Sequence, residues 1–201
     1  MTQMPDKILL VDRWRPLCSA WSQAFSQFAN VEVFEGDFFS HDADAMVSPA
    51  NSFGIMDGGL DLAIRSAVGS NIQGDVQRVI LERHHGELPV GAAEVVPTGH
   101  LRWPHLIVAP TMRVPESVAH TVNAYLAFRA VLLAVRHHNA NADASPIRSI
   151  LVPGLGTGIG TMEARRCAAQ MRLAFDQVSK PARIPSYALI HELHLKLRSA
   201  T

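Results

Sequence analysis

Residues 48–61 have the sequence SPANSFGIMDGGLD, and residues 153–161 have the sequence PGLGTGIGT. These segments, called here the first loop and the second loop, each follow a short apolar run typical of a buried strand and precede a helical pattern. A strand that passes through a glycine loop into a helix is the repeating unit of open, largely parallel α/β sheets. The two loops therefore predict an α/β fold.

The alternation of strand and helix patterns continues on both sides of the two loops. Strands are predicted at residues 8–11, 31–35, 43–48, 93–97, 105–110, 147–152 and 187–191. Helices are predicted at residues 14–28, 57–68, 72–83, 116–138 and 162–178, with a polar loop at 139–146. We expect one domain over residues 1–201, a three-layer α/β/α sandwich with a mixed, largely parallel central sheet.

The two loops also predict a ligand. Glycine lets the main-chain N–H groups approach a bound molecule closely, and the free N–H groups and dipole of a following helix favour phosphate. In α/β sheets such loops lie beyond the carboxyl ends of the strands, where ligands bind. Two loops of this kind are suited to a diphosphate held without lysine, in a chain whose 18 basic and 18 acidic residues balance.

Two common phosphate motifs do not fit the second loop. A P-loop requires a lysine after its last glycine, and none follows here. The dinucleotide fingerprint G-x-G-x-x-G fails because its last position is Ile159 or Thr161, depending on the starting glycine. The balanced charge also gives no reason to expect general nucleic-acid binding.

Other residue classes point to no further chemistry. Cys18 and Cys167 lack metal-ligand spacing and are expected to be reduced residues in helices. The paired histidines are expected at helix ends or on the surface. We therefore expect no metal and no cofactor. Trp14 and Trp21 lie seven residues apart, which favours core packing over a stacking platform. Residues 1–7 lack a signal-peptide pattern and no apolar run reaches membrane-spanning length, so we expect a cytoplasmic protein with no membrane partner.

The residues around the loops resemble the macro domain family. The segment ending in Asn51 resembles the Asn-Ala-Ala-Asn motif of that family, and residues 58–64 (GGLDLAI) resemble its Gly-Gly-Val-Asp-Gly-Ala-Ile segment. Gly36-Asp37 is similar to the Gly-Asp that recognises adenine, and residues 156–158 lie where the family has its second phosphate loop. The resemblance covers about residues 31–178 and implies that the fold binds ADP-ribose or a derivative of it.

The resemblance also implies roles for individual residues. Asp37 is expected to accept a hydrogen bond from the adenine amino group, and Asn51 to bind the distal ribose. Asn51 and Asp61 match the spacing of hydrolytic members, which implies that they are catalytic, with Asp61 orienting or activating a water. The full set of predicted ligand-binding residues is Asp37, Phe38, Ala50, Asn51, Gly58, Gly59, Leu60, Gly154, Gly156, Thr157, Gly158, Ile159 and Gly160.

Alternative roles remain open for the polar residues. Asp37 could cap the turn after its strand, Asn51 could fix its own loop, and Asp61 could only stabilise the first turn of a helix. For Asp57 an N-cap role is favoured.

Three hypotheses follow for the function. The leading one is an enzyme that hydrolyses an ADP-ribose derivative, either on a modified macromolecule or as a free metabolite. The second is a module that binds ADP-ribose without chemistry, suggested by the altered first loop and by Arg65, which stands where many members of the family carry histidine. The third is a structural protein whose cleft is plugged by Phe53, Ile55 or Met56.

Overall fold

The computed structural model of the chain describes residues 4–141 and 143–199. Residues 1–3 and 200–201, at the two ends of the predicted domain, and residue 142 in the predicted polar loop lie outside the described residues. The strands are β1 (Lys7–Asp12), β2 (Val31–Glu35), β3 (Ala45–Ser48), β4 (Glu94–Pro97), β5 (His105–Val108) and β6 (Ser149–Val152). The helices are α1 (Arg15–Ala24), α2 (Gly59–Val68), α3 (Ile72–His84), α4 (Asn123–Asn139), α5 (Ala164–Val178) and α6 (Tyr187–Ser199).

The six strands form one sheet in the order β2-β1-β6-β3-β5-β4. Every pair of neighbours is parallel except β4 and β5, which are antiparallel. Because β1, β6, β3 and β5 are adjacent and parallel, the segments that follow them all emerge at the same edge of the sheet. The two glycine loops follow β3 and β6 and are therefore neighbours there.

Both faces of the sheet are covered, so its central strands are apolar at successive positions. In β1, Ile8 and Leu10 join the core cluster that packs against α1, α4 and α5, whereas Leu9 and Val11 join the cluster that packs against α2 and α3. This two-sided burial explains the continuous apolar runs that predict the strands. The predicted three-layer α/β/α class with a mixed, largely parallel sheet is confirmed.

The long helix predicted at residues 116–138 begins seven residues later, at Asn123. The preceding segment is held across the second loop instead, because the Val118 N–H donates to the Gly160 carbonyl at 2.8 Å. A methyl group of Val118 packs where a side chain on Gly156 or Gly160 would lie. Val118, which the sequence pattern assigned to the helix, therefore packs against the second loop.

The strand predicted at residues 187–191 is wrong, because this segment is the start of helix α6. Leu189, Leu193 and Leu197 are spaced by four, and Leu197 is the buried residue of this helix. The helix is tied to α5 at its end, where buried Gln170 donates to the Leu197 carbonyl at 3.3 Å and Arg166 donates to the Arg198 carbonyl at 2.8 Å. A helical stripe and these contacts outweigh the short apolar run.

The two cysteines lie in helices α1 and α5, where both are buried and free, as predicted. Burial raises the pKa of the Cys167 thiol to about 12 and also raises the pKa of the Cys18 thiol. A thiol with a raised pKa is a poor nucleophile near neutral pH. None of the helices in the described part of the chain is long and apolar enough to cross a lipid bilayer.

Candidate functional site

A cavity of about 520 Å³ lies at the carboxyl ends of β1, β6, β3 and β5. Both glycine loops contribute to its wall. The lining residues are Asp12, Trp14, Pro49, Ala50, Asn51, Ile55, Asp57, Gly58, Gly59, Leu60, Asp61, Thr111, Met112, Pro115, Pro153, Gly154, Gly156, Thr157, Gly158, Ile159 and Gly160. The structure therefore brings together eleven of the thirteen predicted ligand-binding residues, all except Asp37 and Phe38.

The second loop lines the cavity and contains unpaired main-chain donors. Within residues 4–141 and 143–199, the N–H groups of residues 156–160 donate to no protein acceptor. Gly156 has a φ of +73°, and its own carbonyl accepts from Met162 N at 2.9 Å, which turns the loop back on itself. A Cβ on Gly158 would meet nothing within 4 Å, so this residue borders open space. Such a row of free N–H groups is suited to an anion.

Helix α2 adds a second set of free donors. It begins at Gly59 with Gly58 as its N-cap, and no side chain caps its first N–H groups. The start of α5, directly after the second loop, differs because the Glu163 carboxylate accepts from Arg166 N at 3.0 Å. The helix-dipole argument for phosphate therefore applies to α2, whereas the second loop contributes through its own backbone.

Asp61 is a partly buried carboxylate on the cavity wall, in the first turn of α2. The Ser48 hydroxyl donates a hydrogen bond of 2.6 Å to its Oδ1. Burial raises the pKa of the Asp61 carboxyl from 3.8 to about 6, while the bond from Ser48 acts in the opposite direction. A carboxyl group with a pKa near 6 can accept a proton at neutral pH more readily than an ordinary aspartate, as general-base catalysis requires.

The side chain of Asn51 is engaged with its own loop. Its Oδ1 accepts from Phe53 N at 3.1 Å and from Ile55 N at 3.3 Å, and its Nδ2 donates to the Ile55 carbonyl at 2.8 Å. These bonds form a local turn of the kind that asparagine often stabilises. Asn51 therefore fixes the first loop, as one alternative predicted. Ribose binding by Asn51 stays a prediction, and such a contact would have to use the second hydrogen of its Nδ2.

Residues 52–57 (SFGIMD), which follow Asn51 in the first loop, leave the cavity open. Met56 is buried in the core beneath it, Phe53 lies against Arg113 with the guanidinium 5.2 Å from the ring centre, and neither lines the cavity. Ile55 alone of the three candidate plugging residues lines the cavity, and it remains 46% exposed at the rim.

Asp57 does not cap helix α2, so the N-cap prediction for it is wrong. Its carboxylate accepts from Arg65 at 2.8 Å, and the same Arg65 Nη1 donates to Gln73 Oε1 at 3.1 Å. Gln73 in turn accepts from Met56 N at 2.8 Å. Asp57 therefore pairs with Arg65, about two turns into helix α2, and does not cap the helix.

Asp37 and Phe38 lie one strand beyond the cavity wall. Asp37 follows β2, at the edge of the sheet, and its carboxylate accepts from Arg13 at 2.8 Å without capping the short helical turn after it. Phe38 is buried in the core and contacts Phe39 edge-to-face. Their predicted contacts with a ligand stay predictions, and that of Asp37 requires the exposed pair with Arg13 to open.

Two residues on the cavity wall were not predicted, Asp12 and Trp14. Asp12 ends β1, and its two carboxylate oxygens accept from Trp14 N at 2.8 Å and Gly154 N at 3.2 Å. The prediction that Trp14 packs in the core with Trp21 is wrong, because Trp14 precedes α1 and is 40% exposed, whereas Trp21 is fully buried. Pro16 begins helix α1 just after Trp14, which leaves Trp14 outside the helix. The sequence signal for a cavity-lining role was that Asp12 and Trp14 stand at the end of a predicted parallel strand.

The wall of the cavity carries three aspartates and, among the described residues, no lysine, arginine or histidine. A phosphate bound there would meet no cationic side chain, and its donors would be main-chain N–H groups and neutral side chains such as that of Thr157. The histidines lie elsewhere: His84 pairs with Glu94 at 2.8 Å, and His138 contacts the Ser145 carbonyl. In the described part of the chain, no three His, Cys, Asp or Glu residues are grouped so as to hold a metal ion.

This arrangement defines a class: an α/β domain whose two glycine loops and one uncapped helix N-terminus form a cleft suited to an anion. A family model described as Macro domain matches residues 47–171, well over half of the chain. The chain belongs to the macro domain family.

Individual relatives agree with this assignment. The chain is 31% identical over 142 residues to an uncharacterized protein of Aquifex aeolicus, covering 71% of this chain and 78% of that protein. It is 29% identical over 159 residues to a Salmonella gallinarum protein named O-acetyl-ADP-ribose deacetylase, covering 77% and 82% of the two chains. A mutant Oceanobacillus iheyensis macrodomain solved with ADPR has the same fold, with a TM-score of 0.61 at 18% identity, covering 90% of this chain and 83% of that one.

Proposed function

We propose that the cleft binds ADP-ribose or a close derivative and hydrolyses an ADP-ribosyl linkage. The observation that carries the proposal is the presence, in one cavity, of the free N–H groups of residues 156–160, the uncapped start of α2 and the carboxylate of Asp61. The first two suit a diphosphate, and the third is a candidate base beside them. Relatives named for an ADP-ribose derivative, or solved with ADPR, support the same ligand class.

In the proposed reaction, the loops hold the diphosphate and the distal ribose lies toward α2. A water molecule held by Asp61 attacks the anomeric carbon, and Asp61 accepts a proton from it as the new C–O bond forms. The bond from that carbon to the leaving group breaks, and the leaving group takes a proton from solvent. Ser48 keeps the Asp61 carboxylate in one orientation through its 2.6 Å hydrogen bond.

Calorimetric titration with ADP-ribose tests the binding half of the proposal, with AMP and ADP as controls. We expect saturable binding that prefers ADP-ribose. Release of ADP-ribose from a mono-ADP-ribosylated protein tests the catalytic half. Deacetylation of O-acetyl-ADP-ribose, in which the water would attack the ester carbonyl carbon instead of the anomeric carbon, tests a second substrate class. Asp61→Asn should abolish turnover, whereas Asp57→Asn, which changes the other carboxylate of the first loop, should retain most of it. Equal turnover in wild type and Asp61→Asn would overturn the role of Asp61.

The engagement of Asn51 favours a second candidate, a module that binds ADP-ribose without chemistry. Its amide oxygen already accepts two main-chain hydrogen bonds, which leaves little capacity to fix the distal ribose for attack. Tight ADP-ribose binding combined with no turnover on either substrate class would select this candidate.

A further inference from the structure

The order of the strands gives the cleft two distinguishable ends. The second loop follows β6, and it lies between the Asp12–Trp14 segment after β1 and the first loop after β3. Neighbouring strands are about 4.8 Å apart, so these three segments are spaced along the edge of the sheet. Asp61 belongs to the β3 side, and Trp14 belongs to the opposite, β1 side.

Trp14 is an exposed aromatic residue that is linked to the second loop through the carboxylate of Asp12. Its indole lines the cavity at 40% exposure, whereas Trp21 is fully buried and Trp103 is 3% exposed. Its main-chain N–H and that of Gly154 donate to the two oxygens of the same Asp12 carboxylate. The backbone of Trp14 is therefore anchored beside the second loop, and the residue is 40% exposed where it lines the cavity.

In the proposed function, the β1 end of the cleft, where Trp14 lies, is the end that would face the base of ADP-ribose. If the diphosphate lies between the two loops and the distal ribose points toward Asp61, the nucleoside half extends toward β1. We propose that the indole of Trp14 is the surface against which the base of the bound adenine nucleotide stacks, an inference that rests on the proposed function. Asp37 follows β2, the next strand beyond β1, and is thus on the side from which it can reach a base edge.

This role could not come from the family model. The matched residues are 47–171, and the segment that carries Asp12 and Trp14 precedes them. An exposed indole also fits a base better than a phosphate, since stacking on an aromatic ring requires a π-face and no charge.

Tryptophan fluorescence and calorimetry test the inference together, because the chain has only three tryptophans and Trp14 alone lines the cleft. ADP-ribose, AMP and ribose 5-phosphate are titrated into wild type, Trp14→Phe and Trp14→Ala. We expect ADP-ribose and AMP to quench the wild-type fluorescence. Trp14→Phe should keep the affinity within about threefold and lose the quench, and Trp14→Ala should bind ADP-ribose about tenfold more weakly. The affinity for ribose 5-phosphate, which has no base, should not change.

The outcomes separate this inference from the proposed function. ADP-ribose binding that is equally tight in wild type and Trp14→Ala would overturn the stacking role and leave the proposed function standing. No binding of ADP-ribose to folded wild type would overturn the proposed function. In that case an AMP-dependent quench that Trp14→Phe removes would still support a base site, and its absence would overturn the inference as well. Thermal unfolding of both variants confirms folding, which the exposed position of Trp14 favours.

Discussion

The hydroxyl of Ser48 donates a hydrogen bond of 2.6 Å to the carboxylate of Asp61, joining the end of strand β3 to the first turn of helix α2. Ser48 is 1% exposed, so its donor has little access to water. The bond favours the charged form of Asp61, but burial outweighs it, and the pKa of the carboxyl rises to about 6. The charge on Asp61 is therefore destabilising at neutral pH, although the proposed reaction requires it.

We expect Asp61→Asn to stabilise the fold above pH 6. The folded-state pKa lies above the unfolded value of 3.8, so the stability from this group is complete below about pH 3.8 and is lost as pH rises through about 6. A difference of about two pKa units corresponds to about 3 kcal/mol. The amide introduced by the substitution is neutral at every pH, and its oxygen can still accept from Ser48.

Urea unfolding at pH 4 and pH 8 measures this effect. The variant should gain up to about 3 kcal/mol over wild type at pH 8 and show little difference at pH 4. Asp57→Asn is the matched control, since Asp57 is exposed and paired with Arg65. A stability gain in Asp61→Asn that is the same at both pH values would contradict the raised pKa.

Ser48→Ala should raise the pKa of Asp61 further. Without the hydroxyl, burial acts on the carboxyl unopposed by the Ser48 hydrogen bond. If Asp61 is the base, turnover in wild type should rise with pH through about 6, and the midpoint of this rise should move to higher pH in Ser48→Ala. The pH dependence of unfolding should move in the same direction, which provides a readout independent of activity. Reduced stability at every pH with an unmoved midpoint would mean that Ser48 only packs.

The fold and the glycine loops could be predicted from the sequence because their causes are local. Two-sided apolar strands, helical periodicity and the glycines of residues 153–161 each act within a few residues of chain. The wall formed by Asp12 and Trp14 depends on β1 pairing beside β6, a strand far along the chain, and strand order is not written in any one segment. Trp14 and Trp21 have the same spacing whether or not Pro16 starts the helix between them.

Contacts that reach beyond the adjacent turn of chain were harder to predict than the glycine loops. Asp57 had the local features of an N-cap, whose side chain accepts from an N–H group in the first turn of the helix. Its carboxylate instead accepts from the side chain of Arg65, which lies in the second turn of α2. The start of α4 was displaced because Val118 covers the second loop, and that contact joins two segments far apart in the chain. In both cases a tertiary contact replaced the local preference.

Asn51→Ala should lower both stability and ADP-ribose affinity. The substitution removes three hydrogen bonds to Phe53 and Ile55, for which we expect a loss of about 1 to 3 kcal/mol. Affinity should fall because the first loop then samples other conformations. Asn51→Asp keeps the two accepting interactions but turns a carboxylate oxygen toward the Ile55 carbonyl, an acceptor that repels it, so this variant should also be less stable than wild type at neutral pH. Unchanged stability with weakened binding in Asn51→Ala would instead support a role limited to the ribose.

Gly158 and Gly156 form a matched pair that separates the cleft from the fold. A Cβ on Gly158 meets nothing within 4 Å, so Gly158→Val should fold normally and obstruct the cavity that this residue lines. A Cβ on Gly156 would lie 2.8 Å from Val118 Cγ2, and its φ of +73° disfavours any side chain. We therefore expect Gly156→Ala to lose about 1 to 2 kcal/mol of stability from the backbone conformation alone.

Thermal unfolding and ADP-ribose calorimetry on both variants make the comparison, and Gly158→Val should lose affinity at an unchanged melting temperature. Full affinity in Gly158→Val would place the bound diphosphate away from the second loop, since a valine side chain at this position would occupy space beside that loop in the cavity.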